Sequence, residues 1–341
     1  MVNTICEELI QRRGYLVNKQ IETIYFGGGT PSLLTKDELG KILNTVHLNF
    51  TVVDEPEVTL EANPDDISFY TLGFWKEYGV NRLSIGLQSF KSEDLKWMNR
   101  AHSVDESLSC VQLAKEAGFD QLTVDLMYGL PNLSIEDWEK HIDHVIDMDV
   151  GHVSAYCLTI EEKTVLDNWV QKGKVVAPNE DQQSDQFITL LRKLEGANFE
   201  QYEISNFAKE GKQSKHNSNY WKGTWYLGVG PSAHSFNGVS RQWNIANNRQ
   251  YMKRIQTGSS FFEIEELSIE NRINELILTG LRTSYGLNLE KLVKIGRLPK
   301  EFYLNKAYFI SEGWMKDEDG YLRLTKEGKL RADFIASELF V

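Results

Sequence analysis

Along several short stretches of the chain, apolar and polar residues alternate with the period of a strand, and the apolar half always shares one face. In Leu83-Ser84-Ile85-Gly86-Leu87-Gln88, residues Leu83, Ile85 and Leu87 point one way and Ser84, Gly86 and Gln88 the other. Residues 121–126 repeat this, with Leu122, Val124 and Leu126 opposed to Thr123 and Asp125, and Val58-Thr59-Leu60-Glu61 does so again. Strands buried beneath crossover helices normally read as continuous apolar runs. The inner face of a filled barrel is likewise rich in Val, Ile and Leu. A small or polar inner face at strand after strand therefore predicts a barrel-like sheet with an open hollow that holds a polar ligand.

The longer rhythm is strand then helix. Strands are predicted at 21–26, 57–61, 82–88, 121–127 and 152–158, and helices at 3–13, 35–47, 67–78, 91–99, 104–117 and 134–148. Such alternation means βα units and a parallel sheet. Right-handed crossovers bring the five strand ends to one rim, where ligand sites of these folds lie. The 27–31 turn, Glu61, Gln88 and the 125–129 segment fall on that rim. After residue 165 the style changes to a helix at 179–195 and a loop-rich stretch at 200–250, dense in aromatics such as Tyr202, Tyr220, Trp221, Trp225 and Trp243. A third style begins near 261, with helices at 270–283 and 288–294, short elements at 307–312, 314–316 and 321–325, and a closing helix at 326–339. A two-stranded ribbon around Asp319-Gly320 among helices suggests a winged-helix-like module. The expected segments are 1–165 (partial barrel), 166–260 (aromatic-rich extension) and 261–341 (winged-helix-like module).

Composition narrows the function. A net charge of −12 and a pI near 5.2 argue against a nucleic-acid footprint. They also disfavour an anionic membrane surface, although a local basic patch leaves peripheral membrane contact possible. No run approaches the ~18 apolar residues of a membrane span, and no signal-peptide pattern is visible. Cys6, Cys110 and Cys157 are scattered and give no disulfide framework, as expected in a reducing cytoplasm.

The Gly27-Gly28-Gly29-Thr30-Pro31 turn lets backbone approach a ligand and expose its N–H and C=O groups. Read alone, it is equally a tight βα turn that needs glycine. Glu61, Gln88 and Asp125 share the inner face, with Arg100 after the helix that follows Gln88. Buried charges are costly unless paired, so an ion-pair network around Arg100 is the plain alternative. Their convergence beside the glycine turn favours a zwitterionic ligand bearing an ammonium, a carboxylate and ribose hydroxyls. His216, in His216-Asn217-Ser218-Asn219-Tyr220-Trp221, reads by itself as a packed histidine. His234 reads as a loop contact, His141 and His144 as solvated residues, the acidic run of 134–148 as a wet surface, and Cys157 as a small buried core residue.

Together these residues carry a family resemblance. Residues 24–31 (IYFGGGTP), 61–64 (EANP), 86–90 (GLQSF), 124–131 (VDLMYGLP), 202–207 (YEISNF) and 228–234 (GVGPSAH) occur in the order and spacing of a known family. The chain resembles the radical S-adenosylmethionine family of oxygen-independent coproporphyrinogen III oxidases and their haem-chaperone relatives. The resemblance implies an α/β fold, an incomplete (β/α)6 radical-SAM-type barrel with a C-terminal winged-helix-like module. It also implies that Gly28, Gly29, Thr30, Glu61, Gln88, Arg100 and Asp125 contact S-adenosylmethionine. His216, Asn217, Tyr220 and Trp221 match the H-N-x-x-Y-W signature of the haem-chaperone branch and are the expected haem contacts. Imidazole is a normal axial ligand and aromatic faces stack on porphyrins.

One departure matters. The family holds a 4Fe–4S cluster on C-x-x-x-C-x-x-C upstream of the glycine turn, and here only Cys6 lies upstream. The first strand and cluster loop are absent from the chain as given, and the expectation is that they precede it in an intact protein. Without the cluster, cleavage to an adenosyl radical has no electron source, so this chain is expected not to perform radical chemistry. Three readings follow: a haem chaperone that passes haem to a respiratory acceptor protein, a coproporphyrinogen III oxidase, or, from fold logic alone, a phosphosugar-binding barrel enzyme.

Overall fold

The computed structural model describes residues 1–16 and 19–341. Its main sheet has seven strands: β1 (Ile21–Phe26), β2 (Val52–Ala62), β3 (Arg82–Gln88), β4 (Gln121–Tyr128), β5 (His152–Cys157), β6 (Glu200–Glu203) and β7 (Asn206–Ala208). The spatial order is β1-β2-β3-β4-β5-β7-β6. Pairs β2–β3, β3–β4 and β4–β5 are parallel, while β7 is antiparallel to both β5 and β6. Leu83, Ile85, Leu87, Val124, Leu126 and Val153 are sealed on the outer face, as the alternation requires. The predicted strands 21–26 and 82–88 agree with the structure to the residue, and β2 begins five residues earlier than its predicted start at 57.

Helices α1 (Val2–Gln11), α2 (Lys36–Asn49), α3 (Phe69–Glu77), α4 (Ser92–Trp97), α5 (Val104–Glu116) and α6 (Ile135–Asp147) fall where apolar periodicity placed them. Thr35, Ser68 and Ser103 start α2, α3 and α5 with reciprocal capping boxes. The short α7 (Val165–Gln171) has no counterpart in the sequence reading, and α8 (Glu180–Gly196) follows it. On α6 the buried positions are Trp138, His141, Ile142 and Val145, one helical stripe. His141 is therefore a core residue packed edge-on against Phe90 and Trp138, not a solvated one, and burial pushes its imidazole down to about 4. His144 stays exposed.

The chain divides into two compact units. The first comprises residues 1–24, 34–57 and 215–341, and the second residues 25–33 and 58–214. This groups the chain otherwise than the linear segments 1–165, 166–260 and 261–341, because β1 and β2 each run through both units.

The 200–250 stretch is more regular than its loop-like sequence suggests. Besides β6 and β7 it holds α9 (Lys215–Trp221), β8 (His234–Phe236), β9 (Ser240–Asn244) and the start of α10 (Asn248–Gln256), with β10 (Phe262–Glu266) completing a three-stranded antiparallel sheet. These elements are too short for their periodicity to register. In the first unit β9 and α10 are stitched to α1 through Glu8, which is fully buried. Its carboxylate accepts from the Gly230 N–H at 2.8 Å, Asn244 Nδ2 at 2.7 Å and the Tyr251 hydroxyl at 2.5 Å. Arg12, one turn on, lies 3.8 Å away and reaches Gln242 at 2.7 Å, its guanidinium between the rings of Tyr15 and Phe262.

Residues beyond 267 run α11 (Ile269–Leu281), β11 (Leu287–Asn288), α12 (Leu289–Ile295), α13 (Lys300–Ser311), β12 (Met315–Glu318) and β13 (Tyr321–Leu324), with sheet order β11-β13-β12. Asp319 and Gly320 both have positive φ, 53° and 78°, the backbone of a two-residue hairpin turn. The single closing helix expected at 326–339 is instead α14 (Lys326–Lys329) and α15 (Ala332–Glu338), because Arg331 leaves helical geometry at φ −123°, ψ 23°.

Candidate functional site

In the second unit, the carboxyl ends of β1 to β5 and the turns that follow them gather the residues singled out from sequence. Tyr25, at the end of β1, donates its hydroxyl to Glu61 Oε1 at 2.7 Å. The Gly28 N–H donates to Glu61 Oε2 at 3.2 Å, so the glycine turn is tied to the end of β2. A Cβ on Gly27 would stand 2.6 Å from that same carboxylate, which is why residue 27 has none. Gly28 has φ +75°, a conformation that favours glycine. Gly28, Gly29 and Thr30 are exposed, and Ser32 anchors the turn by donating to Asp66 at 2.6 Å.

Arg100, in the loop after α4, donates one guanidinium nitrogen to Asn63 Oδ1 at 2.8 Å and to the Gly86 carbonyl at 3.1 Å. It thus bridges the ends of β2 and β3. It forms no ion pair with Glu61 or Asp125 within 4 Å among the described residues, so the network anticipated as the plain alternative is not formed. Gln88 ends β3 with φ +66° at a shift in the β3–β4 register. A Cβ on Gly86 would lie 3.0 Å from Gln88 Nε2 and 3.1 Å from Arg100 Nη2, so glycine makes room for both side chains.

Asp125 sits on the inner face of β4, half-buried. The Ser84 hydroxyl meets its two oxygens at 3.2 and 3.3 Å. Ser154, its register partner on β5, is a second hydroxyl neighbour. Burial first, and the Glu61 carboxylate second, push the Asp125 carboxyl up to about 7. Behind Ser154 the polar chain continues: its hydroxyl donates to Asn206 Oδ1 at 3.0 Å, and Asn206 Nδ2 donates to buried Glu203 at 2.6 Å. Gly129, past the end of β4, is held by Gln186 of α8, which accepts its N–H at 2.7 Å.

All the barrel residues named from sequence therefore line or flank one polar hollow, with aliphatic side chains outside it. Sequence reading passed over Tyr25, Asn63, Ser84, Ser154, Glu203 and Asn206 as site residues. Strand parity was the available signal for Ser84, four positions before Gln88, for Tyr25, two before Gly27, and for Ser154, which alternates with the apolar Val153 and Ala155. Asn206 and Glu203 carried no such signal, since they enter from short strands.

In the first unit, His216 and Asn217 lie on the first turn of α9, where Glu57 accepts the backbone N–H groups of Lys215 and His216 at 3.0 and 2.8 Å. Thr23 holds His216 Nδ1 at 2.9 Å, and burial lowers the imidazole pKa, which keeps it neutral at neutral pH. Tyr220, one turn along and exposed, meets Trp221 edge-on and Tyr226 at a tilt. Lys19 lies over the Trp225 ring and Lys222 over Tyr285. His234 begins strand β8 rather than lying in a loop.

Residues for an iron–sulfur cluster are not assembled. Among the described residues no group of three His, Cys, Asp or Glu side chains could hold a metal ion. Cys6 is buried in α1 and Cys110 in α5; Cys157 is half-buried at the end of β5, where burial pushes its thiol up to about 11. The donor set of the hollow does fit a zwitterionic nucleoside, with carboxylates, an amide, a guanidinium and exposed backbone N–H groups.

Comparison with known proteins agrees with this geometry. The Radical SAM superfamily profile matches residues 3–145, and the HemN C-terminal domain profile matches residues 267–331. The chain is 33% identical over 333 residues to the heme chaperone HemW of Bacillus subtilis, covering 96% of this chain and 88% of that protein. To the heme chaperone HemW of Mycobacterium tuberculosis it is 32% identical over 321 residues, covering 94% and 80%. In fold it resembles the coproporphyrinogen III oxidase HemN of Escherichia coli, with a TM-score of 0.85 at 20% identity over 99% of this chain and 82% of that one. Among the described residues no helix is long and apolar enough to cross a membrane. The half-barrel, its polar hollow, the C-terminal module and these likenesses together make the chain a member of the radical SAM superfamily, in the family of the HemW heme chaperones.

Proposed function

We propose that the chain is a haem chaperone of the cytoplasm that binds S-adenosylmethionine in the half-barrel hollow and haem beside α9, and passes haem to a respiratory acceptor protein. One observation carries the haem assignment: a histidine kept neutral by burial and fixed through Nδ1 by Thr23, one helical turn from an exposed tyrosine. Neutral imidazole is the ligating form, and the bond from Thr23 fixes the orientation of the ring. Tyr220 and Trp221 supply flat apolar faces, with Asn217 beside the histidine. Lys19 and Lys222 lie over neighbouring rings and suit the propionates of a porphyrin.

S-adenosylmethionine is assigned to Gly28, Gly29, Thr30, Glu61, Gln88, Arg100 and Asp125. Its ammonium and ribose hydroxyls need acceptors and its carboxylate needs donors, and this set offers both. When bound beside a 4Fe–4S cluster, S-adenosylmethionine supplies radical chemistry; these side chains bind and orient it. Haem titration tests the first half of the proposal. The wild type is expected to shift the Soret band at stoichiometric haem, and His216→Ala to bind at least about tenfold more weakly. Equal haem affinity in the two proteins would remove His216 from the site. Calorimetry with S-adenosylmethionine tests the second half, and no binding heat across a wide concentration range would dismiss it.

A further inference from the structure

The helix that carries the haem contacts is too short to hold itself. α9 has seven residues, and a helix of that length is marginal without tertiary support. Glu57 and Thr23 secure its first turn. Around its last turn, with Tyr220 and Trp221, the contacts trace to α11 of the C-terminal module and the residues just past it, within the same compact unit. The Arg282 guanidinium, at the end of α11, lies over the Trp221 ring at 5.5 Å and donates to Asp333 of α15 at 2.6 Å. Lys222 sits 4.9 Å from the ring centre of Tyr285, just beyond α11. Glu275, in the middle of α11, pairs with Nε of Arg241 on β9. These two side chains expose 27% and 26% of their surface, so water screens the pair only in part. Arg241 Nη1 donates to the Tyr226 hydroxyl at 3.3 Å, and the Tyr226 ring stands 5.6 Å from that of Tyr220. Tyr226 is itself fixed, since its backbone exchanges two hydrogen bonds of 2.9 Å with Phe236, the register partner of Arg241.

We propose that Glu275, Arg241 and Arg282 are positioning residues of the haem site. Through them α11 sets the last turn of α9, and with it the angle at which Tyr220 and Trp221 face a porphyrin held by His216. The C-terminal module is then a working part of that site, although none of these three side chains has to touch haem. The haem half rests on the reading above; the coupling of α11 to α9 does not.

Haem titration and hydrogen exchange on the same variants separate the two. In Glu275→Gln, haem is expected to bind about three- to tenfold more weakly than in the wild type. Without haem, the amides of residues 215–226 are expected to exchange about three- to tenfold faster. Tyr226→Phe is expected to act alike and the double variant to add nothing, because both break one chain of contacts. Asp317→Asn breaks the Lys306–Asp317 pair elsewhere in the module and is expected to leave both readings at the wild-type value. Additive losses in the double variant overturn the chain of contacts, and so does a Glu275→Gln protein that matches the wild type. Equal losses in Asp317→Asn overturn it too, by reducing Glu275 to general support of the module. Faster exchange in Glu275→Gln, with no haem bound even by the wild type, counts against the haem reading and upholds the coupling.

Discussion

Glu8 and Asp125 are both acids inside the protein, and they are treated in opposite ways. In the first unit Glu8 is closed off by three donors from three separate segments and a guanidinium one helical turn away. In the second unit Asp125 has only hydroxyls, a second carboxylate nearby and no paired cation among the described residues. Burial raises both pKa values, but Glu8 is met by N–H and O–H donors from three segments of the chain, whereas Asp125 is met by hydroxyls beside a second carboxylate. A satisfied polar network holds elements together; an unsatisfied one on an open face is a place for something else to bind.

The contrast breaks most sharply on stability. Glu8→Ala leaves Arg12, Asn244 and Tyr251 facing a void and is expected to cost about 3–5 kcal/mol in denaturant unfolding. Asp125→Ala, which removes a strained acid, is expected to cost less than about 1 kcal/mol; equal losses would dissolve the distinction. Ligand affinity should reverse the ranking. Asp125→Ala is expected to weaken S-adenosylmethionine binding by about ten- to a hundredfold, and Glu8→Gln to leave it unchanged. A smaller effect follows at Gly86, where alanine presses on Gln88 and Arg100: roughly tenfold weaker binding with the fold retained, read by calorimetry beside circular dichroism.

The smallest effect is in pH. Folded Asp125 keeps its proton up to about pH 7, whereas an ordinary aspartate releases it near 3.8. Between those values the folded state binds more protons than the unfolded, so this contribution is whole below about pH 4 and is lost as pH rises through 7. Unfolding midpoints measured across that window should decline, and Asp125→Asn should flatten part of the decline. An unchanged slope in the variant would assign it to other groups.

Much of this was legible in the sequence because a strand's period is two. That period alone put Glu61, Gln88 and Asp125 on one side and Leu83, Val124 and their neighbours on the other. The Asp319-Gly320 turn was an equally local signal. What escaped was set by tertiary contact. His141 sits among acidic residues in sequence, yet the stripe from Trp138 to Val145 buries it. Asn206 reaches Ser154 across 52 residues of chain, and no local pattern encodes that distance. The strands and helices of 200–250 were too short to show a period, and aromatic density masked them as loop.

Gln88 carries a further consequence. Its left-handed backbone costs roughly 1 kcal/mol that glycine would spare, and the amide it brings to the hollow is the return on that cost. Heat resistance and ligand contact therefore pull residue 88 in opposite directions. A library screened only for thermal tolerance should drift there toward glycine or asparagine, and the survivors should be sturdier proteins with an emptier site.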